Sequence, residues 1–194
     1  MNPRTSKLER KTNETDIAIE MNLDGTGKYE IETGVGFLDH MLAHLSKHSH
    51  IDLNVKAKGD LEVDAHHTVE DVGIAIGTCL VQAMGDKKGI TRYGSSSVPM
   101  EDCLANVALD LSGRAFCVYN AEYLTEKIGD FDVECIEEFL RSLSNFGKFN
   151  LHVNVPYGTN SHHKAEAIFK AVGQALSAAL KITGTDIPST KGTL

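Results

Sequence analysis

DAHHTVED, residues 64–71, carries the pattern His-His-x-x-Glu, and NSHHKAEA, residues 160–167, carries it again 96 positions later. Nine histidines scattered independently over 194 residues would rarely produce two such copies. Other segments pair as well. Leu23-Asp24-Gly25 matches Leu111-Ser112-Gly113 at an offset of 88, and Leu42, Leu45 and Ser46 match Leu140, Leu143 and Ser144 at 98. Offsets that drift only where loops fall are those of a duplicated unit.

The hydrophobic periods give each copy its elements. DIAIEMNL alternates Ile17, Ile19, Met21 and Leu23, a half-buried strand closed by a turn at Asp24-Gly25, and a short strand follows near residues 29–32. FLDHMLAHLSKH has helical spacing with Phe37, Met41, Leu42 and Leu45 on one side, and IDLNVKAKG alternates again. From His66 a helical pattern runs to Met84 and stops at Gly85. In the second copy ANVALDLSG and RAFCVYNAEY are strands, and FDVECIEEFLRSLSNFG is a helix with Val133, Ile136, Phe139, Leu140 and Leu143 inward. FNLHVNV is a strand, and HHKAEAIFKAVGQALSAAL is an amphipathic helix. Each copy reads β-β-α-β-(β)-α, with halves of about 1–92 and 93–194 in one domain. The expected class is α+β, each half packing two helices on one face of a mainly antiparallel sheet.

Composition narrows the function. Apolar residues make up 41% and charged residues 24%, ordinary for a soluble globular chain. A net charge of −8 argues against nucleic acid or an anionic membrane as partner. No stretch approaches the roughly 18 apolar residues of a membrane span, and MNPRTSKLERKTNETD lacks the apolar core of a signal peptide. Four widely spaced cysteines form no CxxC pair, which fits reduced thiols in a cytoplasm.

On a helix His66 and Glu70 share a face, while His67 points about 100° aside. One triad cannot easily aim all three groups at one ion, but two triads can serve two ions. A lone HHxxE at a helix start is more often a solvated helix end; two copies at matching positions reverse that. The offset of 98 adds a pair, because His40 corresponds to Glu138. Eight donors follow, four per ion: His40, His66, His67, Glu70, Glu138, His162, His163 and Glu166. Nitrogen and oxygen donors without thiolate favour Mn, Fe, Co or Zn. His44 reads as surface, His48 as a helix-end or substrate-reaching group, and His50 and His152 as solvent-facing strand positions. Arg92, Arg114, Lys170, Ser189 and Lys191 are candidates to hold an anion, phosphate above all.

These residues together resemble the imidazoleglycerol-phosphate dehydratase family. The resemblance is carried by R-x-T-x-E-T (10–15), GVGFLDHML (34–42), HHTVED (66–71), ITRYG (90–94), LDLSGR (109–114), SHHKAEAIFKA (161–171) and PSTKG (188–192). It implies a duplicated unit of the ribosomal protein S5 domain 2 kind and a 24-subunit homo-oligomeric shell with two Mn²⁺ ions per site between subunits. The implied substrate is a phosphorylated imidazole, D-erythro-imidazole-glycerol phosphate, dehydrated to imidazole-acetol phosphate in histidine biosynthesis. The resemblance also implies the metal ligands His40, His66, His67, Glu70, His162, His163 and Glu166; at the eighth position the family often has histidine where this chain has Glu138. Implied substrate contacts are Glu14, His48, Arg92, Arg114, Lys170, Ser189 and Lys191, alongside the ligands His40, His66, Glu70 and His162. Glu14 is the first candidate for proton transfer and His48 the second. Ala65 stands where an aspartate is common, Ala115 where proline is and Thr190 where serine is; the change at 65 could weaken support for a histidine. A di-metal hydrolase and a metal-storage shell are the competing classes.

Overall fold

The computed structural model describes residues 3–194. The first half comprises β1 (Thr5–Lys11), β2 (Thr15–Asn22), β3 (Tyr29–Glu32), α1 (Gly36–Ser49), β4 (Asp52–Gly59) and α2 (His66–Met84). The second comprises β5 (Tyr93–Met100), β6 (Cys103–Asp110), β7 (Phe116–Asn120), a hairpin of β8 (Lys127–Ile128) and β9 (Phe131–Asp132), α3 (Glu134–Gly147), β10 (Asn150–Tyr157) and α4 (Ser161–Leu180). The two four-stranded sheets have the same order, β1-β2-β4-β3 and β5-β6-β10-β7. β3 is parallel to β4 and β7 to β10, each pair joined across a helix; the remaining pairs are antiparallel. This is the α+β duplicated architecture expected from the periods.

The repeat is held in register by matching contacts. Ser46 Oγ donates to the Ile51 carbonyl at 2.7 Å, and Ser144 Oγ to the Phe149 carbonyl at 2.7 Å, both offset by 98. α1 and α3 both end on a left-handed residue, His50 (φ 62°) and Lys148 (φ 54°). His50 is thus a helix cap, not a strand residue, and its Nδ1 lies 3.4 Å from Ser177 Oγ. His152 is exposed on β10.

Two expectations are corrected. The fourth strand of each sheet comes first in its half (β1, β5), and residues 60–65 between β4 and α2 form a turn rather than a strand. The third helix begins at Glu134, because Phe131 and Asp132 pair with β8 and Val133 is the N-cap residue.

α2 packs against β1 and β2 on one side and α3 on the other, while α4 packs against β5, β6 and α1. Helices of one half therefore seat on helices of the other, and apolar side chains from all four helices and both sheets form one core. The crossings are close. A β-carbon on Gly77 would fall 2.7 Å from the Leu143 carbonyl oxygen, and one on Gly173 would fall 2.9 Å from the Leu45 carbonyl oxygen. Glycine is required where backbones meet at this distance. These two positions are 96 apart, and their contacts 98 apart, so the crossings are equivalent.

Candidate metal centre

The crossings bring donor residues of different helices together. At one, His162 and Glu166 of α4 meet His40 of α1; at the other, His66 and Glu70 of α2 meet Glu138 of α3. Within each trio the nearest nitrogen and oxygen atoms lie within 4.8 Å of one another. The trios occupy the same repeat positions, and the only change of residue type is His40 against Glu138. Their surroundings differ.

In the α1–α4 trio, Glu166 is buried and takes His40 Nε2 at 3.5 Å, His162 Nε2 at 3.3 Å and Lys170 Nζ at 2.5 Å. His44, read from the sequence as surface, stands 3.3 Å from Glu166 and its Nε2 is buried without a hydrogen bond. Its helical spacing from His40 was the available signal. Rings of His40, His44 and His48 follow one another along α1 at 4.5 and 6.0 Å. Burial pushes the Glu166 carboxyl up, but the Lys170 hydrogen bond and the nearby cationic groups outweigh it, giving about 2. Burial, with the charges of His40, Lys170 and His48, brings His44 down to about 4 against the pull of Glu166. His48 is lowered in the same way, first by burial and then by Lys170.

In the α2–α3 trio Ser142 Oγ reaches Glu138 at 3.5 Å. Among the described residues no lysine or arginine pairs with Glu70 or Glu138. Glu137, the neighbour of Glu138, turns outward to Arg141.

His67 and His163 stand apart from both trios, as the helical angle requires. Asp60 lies 3.0 Å from His67 Nδ1, and Asp102 lies 2.8 Å from His163 Nδ1. Support for His67 therefore comes from Asp60, whereas Ala65 is only the residue before α2. The Asp60 hydrogen bond raises the His67 pKa. Backbone N–H of Thr159, then His163, hold the Asp102 carboxyl well below the usual range. Glu14 lies in the β1–β2 turn, 4.0 Å from His67 Nε2. That turn is tied to α2 by Asp71, which takes Arg10 at 2.6 Å and Thr15 Oγ at 2.5 Å.

The proposed anion-binding residues divide. Arg92, Arg114, Ser189 and Lys191 line one open cavity of about 560 Å³ formed with the C-terminal segment. Arg92 is committed within it, holding Asp110 through Nε and NH2 and the Pro188 carbonyl through NH1. Lys170 is not in this cavity; it pairs with Glu166. None of the six trio residues lines the cavity either.

The family model described as imidazoleglycerol-phosphate dehydratase matches residues 33–176. Imidazoleglycerol-phosphate dehydratase of an Exiguobacterium strain is 56% identical over 190 residues, 97% of each chain. That of Clostridium acetobutylicum is 54% identical over 98% of each. The crystal structure of the Staphylococcus aureus dehydratase superposes with a TM-score of 0.84 at 40% identity, covering 92% of this chain and 99% of that one. The Pyrococcus furiosus structure gives 0.85 at 34%, covering 96% and 100%. The chain belongs to the imidazoleglycerol-phosphate dehydratase family, a family of hydro-lyases.

Proposed function

We propose that this chain dehydrates D-erythro-imidazole-glycerol phosphate to imidazole-acetol phosphate at a site built around two manganese ions. Family membership puts the chain in histidine biosynthesis; the substrate and the metals are our reading. The observation that carries it is the pair of donor trios at equivalent positions of the repeat. Imidazole and carboxylate donors without thiolate suit Mn²⁺, with Fe, Co or Zn as alternatives. His67 and His163 supply one further nitrogen each, since a carboxylate at Nδ1 leaves Nε2 available.

Bound divalent ions would supply Lewis-acid and template chemistry for a substrate whose carbon-bound proton is scarcely acidic. The protein residues bind and orient. Arg114, Ser189 and Lys191 hold the phosphate by charge-assisted bonds, and Arg92 fixes the segment that carries Ser189 and Lys191. Lys170 neutralises Glu166 and keeps it a carboxylate. Glu14 moves the proton, with His48 as the second candidate. The separation of the anion cavity from the trios within one chain supports a site shared between subunits of a large shell, which we take to be the 24-mer of the family. We place this shell in the cytoplasm; among the described residues no helix is long and apolar enough to cross a membrane. A di-metal hydrolase would draw on more aspartates, and a storage shell has no use for the basic cavity.

The test is direct. Protein of measured metal content should convert imidazole-glycerol phosphate to the ketone or its enol; fully loaded protein that makes neither overturns the reading. Chelation should also break the particle into smaller oligomers, and Mn²⁺ should restore it by linkage. An unchanged sedimentation profile with the metal gone rules out shared sites. Arg114→Ala and Lys191→Ala should each weaken substrate binding roughly ten- to a hundredfold with metal content intact; wild-type kinetics in both would move the anion site elsewhere.

A further inference from the structure

Resting on the metal reading above, we infer that Asp60 and Asp102 are positioning residues, each fixing the tautomer and direction of one histidine, His67 and His163 respectively. A neutral imidazole that donates Nδ1–H to a carboxylate must offer its Nε2 lone pair, and the bond also locks the ring plane. Both contacts are short, 3.0 Å at His67 and 2.8 Å at His163.

The repeat makes these contacts more than surface pairs, because duplication does not account for them. Asp102 lies in the β5–β6 turn, and its counterpart at an offset of 88 is Glu14 in the β1–β2 turn. Glu14 does not take Nδ1 of His67; it lies on the other side of the ring, 4.0 Å from Nε2. The Nδ1 position is filled instead by Asp60, just beyond β4. The counterparts of Asp60 are Gly158 at the 98-residue offset of β4 and β10 and Pro156 at the 96-residue offset of α2 and α4, neither able to carry a carboxylate. Gly158 has φ +137°, and a β-carbon there would fall 2.4 Å from that of Cys103. Two unrelated positions thus deliver a carboxylate to the same ring atom of two equivalent histidines. That arrangement is explained by a requirement at the ring. It also releases Glu14 from orienting His67, consistent with its proposed part in proton transfer.

Asp102 has a second task, since it also accepts from Thr159 N (2.6 Å), Thr159 Oγ (2.7 Å) and Asn160 N (3.0 Å) before α4. Loss of metal affinity in an Asp102 variant could thus reflect a loosened loop. A double-mutant cycle separates the two. Mn²⁺ is titrated into chelator-stripped protein, with free Mn²⁺ read by its electron paramagnetic resonance signal. The proteins are wild type, Asp102→Asn, His163→Gln and the double variant, with Asp60→Asn and His67→Gln as the parallel set. Asp102→Asn and Asp60→Asn should weaken binding ten- to a hundredfold, the range for such supporting groups. Neither should weaken it further once its histidine is replaced. An aspartate substitution that costs the same factor with and without its histidine overturns the inference. If His163→Gln and His67→Gln both bind Mn²⁺ as wild type does, the metal reading itself fails. Because the Asp60 contact lacks the Thr159 loop, that set decides the matter should Asp102→Asn not fold.

Discussion

The seam between α2 and its strands is polar, and the equivalent seam in the second half is not. Beneath α2, Asp71 binds both Arg10 and Thr15. The matching positions are Ala167, Val98 and Cys103, all buried. One fold therefore tolerates an ion pair or a small apolar set at the same place. Burying the ion pair gains little over the apolar set, because desolvation offsets the attraction. The hydrogen bond that Thr15 donates does more: with the Arg10 ion pair beside it, it holds the 12–15 turn, and so Glu14, against the helix that begins with His66 and His67. The other turn needs no such bonds, since Asp102 itself reaches across to Thr159, Asn160 and His163.

The largest effect is expected from breaking this polar seam on one side only. Asp71→Ala leaves the Arg10 charge partly buried and uncompensated, which typically costs about 3–5 kcal/mol. The combined change Arg10→Val, Thr15→Cys, Asp71→Ala copies the other half and should recover most of that loss in urea unfolding. It should not recover activity, because Glu14 is no longer held. If the triple variant is both stable and fully active, the polar seam has no part in placing Glu14.

How far the sequence discloses these features depends on whether one helix face or one strand pleat encodes them. β2, β4, β6 and β10 bury alternate residues against the helices, so period two reveals them. β1 and β5 are edge strands with little apolar alternation. β5, YGSSSVPM, even contains Gly and Pro, which edges tolerate. Its Gly94 is there because a β-carbon would fall 1.9 Å from the Ala175 carbonyl oxygen, a contact invisible before folding. The donor trios were legible because the repeat and the helical period both point to them. Asp60 and Asp102 were not, since each reaches its histidine through a loop of no fixed period. His44 was misread because Glu166 and Lys170, which face it, lie on α4 and not on its own helix.

A second, smaller effect is expected at the single change of residue type between the trios. Glu138→Gln keeps the shape but removes the charge, and should weaken Mn²⁺ binding by at least about tenfold. Glu137→Gln, which only loosens an exposed pair with Arg141, should not. Glu138→His makes the α2–α3 trio identical in type to the α1–α4 trio and should retain part of the affinity. If the 137 and 138 variants bind alike in Mn²⁺ titration, the equivalence of the trios does not extend to metal.

The smallest effect concerns acid, and it should arise at the α1–α4 crossing. His44 stands where the other half has Ser142, and Lys170 where it has Ile74. An unfolded histidine takes up a proton near pH 6.5, while burial holds folded His44 down to about 4. Between those values the unfolded chain binds more protons, so stability falls as pH falls. Glu166 works in the same direction at lower pH. Its unfolded carboxyl titrates near 4.5 and the folded one near 2, so its contribution is present above 4.5 and lost toward 2. Metal-stripped protein should therefore unfold progressively more easily from pH 6.5 downward. His44→Ser, borrowed from the other half, removes the first of these groups and should flatten the slope between pH 6.5 and 4.5. It should leave most of the loss below pH 4.5 in place, because the Lys170 hydrogen bond, a larger influence on Glu166 than His44, remains. Urea midpoints in chelator at pH 7, 6 and 5 measure the difference between variant and wild type, cancelling the titration of histidines common to both. Parallel curves would mean that His44 is protonated as readily in the folded protein as in the unfolded chain, and that its burial carries no penalty.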